Sequence, residues 1–534
     1  MKKLFTLLAV GALVLSMAAV GSATTLEVNI YGASAQFNFW SAMAQNYLVN
    51  GPAGCTGGYG DNTTSGYSPS PSSTFHGAKY FIAEASGPCA AFTGVTSTDV
   101  FRIRVGAYDS SDGIQSVASG GTTNPLDYLG CTGHQRTMLT AYLGSSSATN
   151  VTSNLGCFDI HLGAADVNGS TVIQTTQGQL DGPAGPASPD MVNGVDLGNI
   201  LAPVDFVSPN IVPQQTCNSP TLNLEDHHPF IVPFAFYANI SAGGSDNLAN
   251  HLAGLCTSGT TGCSSVTTTF CPPGSTANCV TKNLTNGALL GSGGVSLTQT
   301  MVEEIFSQKV QDWSTYFPTM ESTPIILCMR VAGSGTMATF DAGVMRTNGN
   351  ESAWPGTDFT ISGSDVWFNN TSGDMLNCIN GVATAVPSNA PNGPGAIGFI
   401  DADTSITSAT NTFGPLYFDG QLPIAQNIQY GLYDRFWTLE HIFEANSTIS
   451  PDWVGNTSSN GKWVNYDAGY PNDAIDGTDG MLTWGATQLP PSRSPYYVLS
   501  GSMKVHKAND FAYPPIRPGY SNTGGTYGVG PCYE

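Results

Sequence analysis

Leu26, Val28 and Ile30 alternate with polar positions at the period of a half-buried strand. The small-residue run Gly32-Ala33-Ser34-Ala35-Gln36-Phe37 follows, and Trp40, Met43 and Tyr47 then recur at helical spacing. The same order of strand, turn and helix returns twice. Residues 100–108 (VFRIRVGAY) run into the polar turn Asp109-Ser110-Ser111-Asp112-Gly113-Ile114. Ile325, Ile326 and Leu327 deliver Arg330 to Gly333-Ser334-Gly335-Thr336, after which Phe340, Val344 and Met345 mark one side of a helix. A further helix is predicted over 297–306, with Met301, Val302, Ile305 and Phe306 on one side and Thr300 three residues before Glu303 as a capping signal. The unbroken apolar run 230–240 (FIVPFAFYANI) predicts a buried strand crossing between lobes, 203–210 is a short apolar run ending at Asn210, and 394–400 (PGAIGFI) is a turn feeding a strand. Between these pieces lie Gly-, Ser-, Thr- and Pro-rich stretches without a sustained period, near 50–99, 116–198 and 245–294, which read as insertions.

Charge narrows the partners. The chain carries a formal net charge of −22 at pH 7, a field that repels nucleic acid and anionic membrane surfaces. It also slows an anionic ligand, so an anion site has to work through local donors. Lys2 and Lys3, the apolar run 4–20 and Gly21-Ser22-Ala23 have the order of a secretory signal peptide, so residues 1–23 are expected to be removed and the product to be periplasmic or secreted. No later stretch holds about twenty consecutive apolar residues, and no transmembrane segment is expected after signal removal. Twelve cysteines, an even number in an exported chain, predict disulfides. Close spacing favours local staples, Cys256 with Cys263, Cys271 with Cys279, and Cys55 with Cys89 or Cys131 with Cys157, while the connectivity stays open. No metal or cofactor is expected: His227-His228 after Glu225-Asp226 is one pair without a second ligand cluster.

The stretch from Arg330 to Thr336 has the most specific chemistry. Glycines let backbone N–H groups converge, the following helix N-terminus adds partial positive charge, Ser and Thr hydroxyls donate, and Arg330 supplies a planar cationic fork. Together they form a cradle for a tetrahedral oxyanion, against the plainer reading of a Gly-capped turn. The hydroxyls of Ser110 and Ser111 fit a second donor turn or an ST-turn that satisfies its own backbone.

In this order the pieces resemble the periplasmic phosphate-binding protein family, the substrate-binding component of phosphate ABC importers. YGASAQF stands for the family's first small-residue turn, YDSSDGI for its serine turn and VDFVSPN for its DFGASD-like segment. LTQTMVEEIFSQKVQDW stands for a helix ending in tryptophan, RVAGSGT for the Arg and Gly-Ser-Gly-Thr loop, and GPGAIGFID for a late strand. The resemblance implies an α/β, two-lobed periplasmic-binding-protein (Venus-flytrap) architecture with large loop-rich, disulfide-stapled insertions. Lobe I would begin over 24–235, lobe II would cover 236–390, and 391–534 would return to lobe I with a C-terminal extension. It implies ligand contacts at Gln36, Phe37, Ser111 or Ser110, Asn210, Arg330, Ser334, Gly335 and Thr336. Three positions depart from the family: a threonine donor is Gln36, the acid of the DFGASD-like segment falls on Asn210, and the acid beside the Arg is Ala332. Asp109 or Asp112 is the candidate replacement for the missing acid. The implied function is a non-enzymatic solute-binding protein that clamps phosphate or a similar oxyanion for an inner-membrane ABC permease. The alternative is a surface or structural interaction protein that retains the fold and works through its insertions. A phosphatase-type hydrolase ranks behind both, because no Ser-His-Asp or dense Asp/His grouping is visible.

Overall fold

The computed structural model describes residues 25–62, 78–90, 96–117, 127–142, 154–167, 224–239, 296–331, 333–345, 366–369, 371–380, 395–404, 415–445 and 496–505, with short pieces at 177–178, 182–183, 192–193, 248, 266–270, 280–284, 412–413, 485, 489 and 507. The labelled strands are β1 (Thr25–Gly32), β2 (Tyr59–Asp61), β3 (Lys79–Ser86), β4 (Val100–Ala107), β5 (Gln135–Leu139), β6 (Leu155–Asp159), β7 (Leu162–Ala165), β8 (Gly182–Pro183), β9 (Leu224–His227), β10 (Phe230–Asn239), β11 (Ile326–Arg330), β12 (Val366–Asn369), β13 (Ala396–Asp401), β14 (Thr412–Phe413), β15 (Trp437–Leu439), β16 (His441–Ala445) and β17 (Val498–Leu499). The helices needed here are α1 (Ser34–Gln45), α2 (Ser110–Val117), α3 (Gln299–Phe306), α4 (Gly335–Thr339) and α5 (Ser372–Asn380).

Two mixed sheets organise these elements. The first has the order β9-β16-β7-β1-β4-β3-β2 and the second β14-β10-β13-β11-β12-β8, with β15 and β17 also pairing on β10. Parallel pairs sit centrally, β1 between β4 and β7 and β11 between β12 and β13. Strands covered on both faces lose the alternation of a one-sided sheet, so β10, β11, β12 and β13 are buried at every position. α1 packs on β3 and β4, α2 on β1 and β7, and α5 on β12 and β13. The helix predicted over 297–306 starts at Gln299, with Thr298 rather than Thr300 as its N-cap.

Two crossovers between the sheets are described. His228 and Pro229 join β9 to β10, and Glu440 alone joins β15 to β16. They lie side by side: the Glu440 N–H donates to the Phe230 carbonyl at 3.0 Å, and His228 Nδ1 is 3.2 Å from the Glu440 carbonyl. Phe39 of α1 stacks on Phe230 at 3.6 Å, so the core runs unbroken past the crossover.

Three expectations shift. The return to the first lobe comes at Glu440, not near 391, because β13 pairs parallel to β11 in the middle of the second sheet. Residues 162–165 lie inside a stretch read as an insertion, yet they form β7, which is sandwiched between β1 and β16. The stretch 50–99 likewise contributes β3, paired along its whole length with β4. Cys55–Cys89, Cys131–Cys157 and Cys328–Cys378 are disulfides, the last joining β11 to α5 over a span that close spacing does not reveal. The pairs proposed at Cys256–Cys263 and Cys271–Cys279, the signal segment 1–23, Asn210 and Ala332 lie outside the described residues. Among the described residues no helix is long and apolar enough to cross a membrane.

Candidate oxyanion site at the seam between the sheets

β11 ends on Arg330, which is wholly enclosed. The chain then turns through Gly333, whose φ of +91° is a region side-chain-bearing residues avoid, and enters α4 with Ser334 as N-cap, its Oγ accepting from the Met337 N–H at 3.3 Å. This turn meets the first lobe directly. The Ser111 N–H donates to the Gly333 carbonyl at 3.1 Å, and Thr336 Oγ1 donates to Asp166 Oδ2 at 3.0 Å. A Cβ built on Gly335 would collide with Ser110 Oγ and Asp166 Cβ, so glycine is required for this close approach. Arg330 Nη2 reaches Ser34 Oγ, the first residue of α1, at 3.5 Å. That hydroxyl lies 3.1 Å from Ser372 Oγ, the first residue of α5, which donates to Asp401 Oδ1 at 2.5 Å.

The starts of α1 and α2 from one lobe and of α4 and α5 from the other therefore surround one guanidinium. Helix N-termini bring N–H groups and positive dipole ends, which make this seam the candidate for an anion site, although the Ser111, Asp112 and Met337 N–H groups are already taken by the Gly333 carbonyl, Asp109 and Ser334. Of the residues singled out in the sequence, the structure brings Ser110, Ser111, Arg330, Ser334, Gly335 and Thr336 to this seam. The Gln36 side chain is engaged elsewhere, whereas the contact the resemblance implies for Phe37 is through its backbone. Gln36 Nε2 donates to the carbonyls of Ala165 and His441 at 3.0 and 3.1 Å and its Oε1 accepts from Trp40 Nε1, while the Phe37 ring is packed in the core.

Acids outnumber the cation. Burial pulls the Arg330 guanidinium below its usual range, and Asp166, Asp401, Asp109 and Asp374 oppose that pull. Burial, reinforced by Asp112, pushes Asp109 up to about 7. Its Oδ1 accepts from Ser111 Oγ at 2.7 Å and from the Asp112 N–H at 2.8 Å, a cap on α2. Asp112 pairs with Arg136 of β5 at 2.7 Å, both fully buried. The two candidate replacement acids are thus committed to capping and to an ion pair.

The acid that faces the Thr336 hydroxyl is Asp166, immediately after β7. Burial pushes it up to about 6 against the pull of Arg330 and the Thr336 hydrogen bond. Ser110 Oγ accepts from its N–H at 3.0 Å. Asp166, Ser34 and Ser372 are the seam residues that sequence reasoning missed. The available signal for the first was the run Leu162-Gly-Ala-Ala-Asp166, small residues then an acid at a strand end, which matches a DFGASD-like segment better than VDFVSPN does.

Residues 279–434 match the family model for the PBP superfamily domain, a span that contains Arg330 to Thr336. The two-lobed α/β architecture with mixed sheets is of that kind. Among solved structures, the chain is similar to a phosphate-binding protein from Stenotrophomonas maltophilia at 11% identity and a TM-score of 0.31, covering 80% of this chain and 79% of that one. It is also similar to an ABC-type phosphate transport receptor from Vibrio cholerae at 14% identity and a TM-score of 0.24, covering 46% and 71%. No curated protein matches the chain.

Proposed function

We propose that the chain is an exported solute-binding protein that clamps an inorganic oxyanion, phosphate in the first place, between its lobes and presents it to an inner-membrane ABC permease without carrying out a reaction. The observation that supports this most directly is the seam: Ser34 and Ser110 from one lobe and Arg330, Gly335, Thr336 and Ser372 from the other converge on one spot. A small anion held by both lobes at once stabilises the closed state by its differential affinity for it. The match of 279–434 to a PBP superfamily domain agrees with that use of the fold.

Asp166 supplies the preference within the oxyanion class. A buried carboxylate accepts the proton of hydrogen phosphate but meets only repulsion from fully ionised sulfate. Ser334 and Ser110 accept from the Met337 and Asp166 N–H groups and keep their own hydroxyl protons for a ligand, whereas Ser111 and Ser372 donate theirs to Asp109 and Asp401. Calorimetry on the purified protein with phosphate, arsenate and sulfate at pH 7.5 is the test. Phosphate and arsenate are expected to bind and sulfate to fail; no heat from any of the three overturns the reading.

A further inference from the structure

Beside Asp166 stands Glu440, the single residue of the second crossover. β16 pairs antiparallel with β7 in the register His441 opposite Ala165 and Ile442 opposite Ala164, so Glu440 and Asp166 are the residues next beyond the last pair. Both residues are enclosed, Asp166 at 2% and Glu440 at 0% exposure. The Gln36 amide stitches the two strands together beside them, and Thr438 Oγ1 donates to the Asp166 carbonyl at 2.7 Å. Asp166 Oδ1 and both Glu440 carboxyl oxygens are buried without a hydrogen-bond donor among the described residues, and the acids whose charges act on Glu440 are Asp166 and Asp401. His228 Nδ1 lies 3.2 Å from its carbonyl, and His441 adjoins it in sequence. Asp166 in turn faces Thr336 and Arg330. Two carboxyl groups opposed in a dry site cannot both ionise at moderate cost, so a proton resides between them.

We propose that Glu440 is a positioning residue that holds this proton and donates it in a hydrogen bond to Asp166, keeping Asp166 an ionised acceptor, so that Glu440 sets the pH below which the seam ceases to favour an oxyanion that carries a proton. The inference rests on the oxyanion reading above and assigns its selectivity to a residue that touches no ligand. The proton sits on Glu440: burial, with the Asp166 charge added, pushes its carboxyl well above the usual range, whereas Asp166 keeps Arg330 and Thr336 as partners for its charged form. Glu440 sits on the crossover itself and Asp166 next to the strand pair it leads into.

The test has two arms. In the first, phosphate and sulfate affinities are measured from pH 5 to 8 for the wild type, Glu440→Gln and Glu440→Leu. Glu440→Gln keeps an N–H donor and is expected to follow the wild-type profile. Glu440→Leu removes the donor, and the pH at which phosphate preference is half lost is expected to rise by about one unit. In the second arm, which does not depend on Glu440→Leu folding, the infrared difference spectrum of wild type minus Glu440→Gln at pH 7.5 is expected to carry a protonated-carboxyl band. A wild-type profile in folded Glu440→Leu, or no such band, overturns the inference. A wild-type protein that binds neither anion overturns the oxyanion reading instead.

Discussion

Arg330 lies at the seam with four carboxylates acting on its guanidinium, so on the oxyanion reading its loss removes the cation at the centre of the proposed site. Arg330→Gln is expected to weaken phosphate by about 2–5 kcal/mol, the range for deleting one partner of a buried charged hydrogen bond; calorimetry reads it, and affinity within threefold of wild type removes Arg330 from the site. Gly335→Ala tests a different property of the same turn. Its methyl would intrude on Ser110 and Asp166, so phosphate affinity is expected to drop while the melting temperature of the ligand-free protein is kept, because the clash arises only where the lobes meet. The Arg330 turn was legible in the sequence since all its signals are local: an apolar strand, glycines, hydroxyls, then helical spacing. Asp166 was not, because a four-residue strand has too little period to stand out, and its role depends on Thr336 arriving from 170 residues away.

Among the elements, the pairing of β5 and β6 shows what one supposed insertion contributes. Arg136 of β5 donates to Asp112 at 2.8 Å and to the carbonyls of Gly133 and Gln135, the hairpin is closed by Cys131–Cys157, and Asp127 caps the turn before it by accepting from Thr137 and Cys131. The hairpin thereby neutralises an acid in the first turn of α2. Arg136→Met is expected to destabilise by about 3–5 kcal/mol and Arg136→Met with Asp112→Asn by clearly less, since the first leaves a buried charge alone and the second removes it; denaturant unfolding of both measures it, and equal losses contradict the pairing. Cys328–Cys378 anchors β11, which ends in Arg330, to α5, which begins with Ser372. Replacing both cysteines by alanine is expected to cost about 2–4 kcal/mol in the same assay. Strands β1, β4, β10 and β11 and helix α3 were readable from periodicity, but lobe membership was not. The segment 394–400 announced a strand, and only its pairing with β10 and β11 decides that it belongs to the second sheet.

For the whole molecule, the enclosed acids set the direction of pH dependence. Asp109 at about 7, Asp166 at about 6 and Glu440 above its usual range bind protons in the folded chain that the unfolded chain releases near pH 4, so the stability they contribute is lost as pH rises through the folded values. His161, pushed down to about 4 by burial and accepting from the Asn29 N–H at 3.0 Å, acts oppositely, its contribution being lost as pH falls from about 6.5 toward 4. Above about pH 7 these acids outweigh His134 and His161, both pushed down by burial, so the melting temperature of the ligand-free protein is expected to rise on acidification from pH 8 to 7; a fall over that interval contradicts the assignment. The two neighbouring crossovers have a mechanical consequence. One is a single residue and the other two, and backbone hydrogen bonding ties them into a narrow ribbon, which leaves few torsions to absorb a change of angle. On the oxyanion reading such a ribbon would act as a pin rather than a tether, and the Thr336 to Asp166 contact, next to the Ala165–His441 pair beside Glu440, would lie close to that pin and move least as the lobes turn.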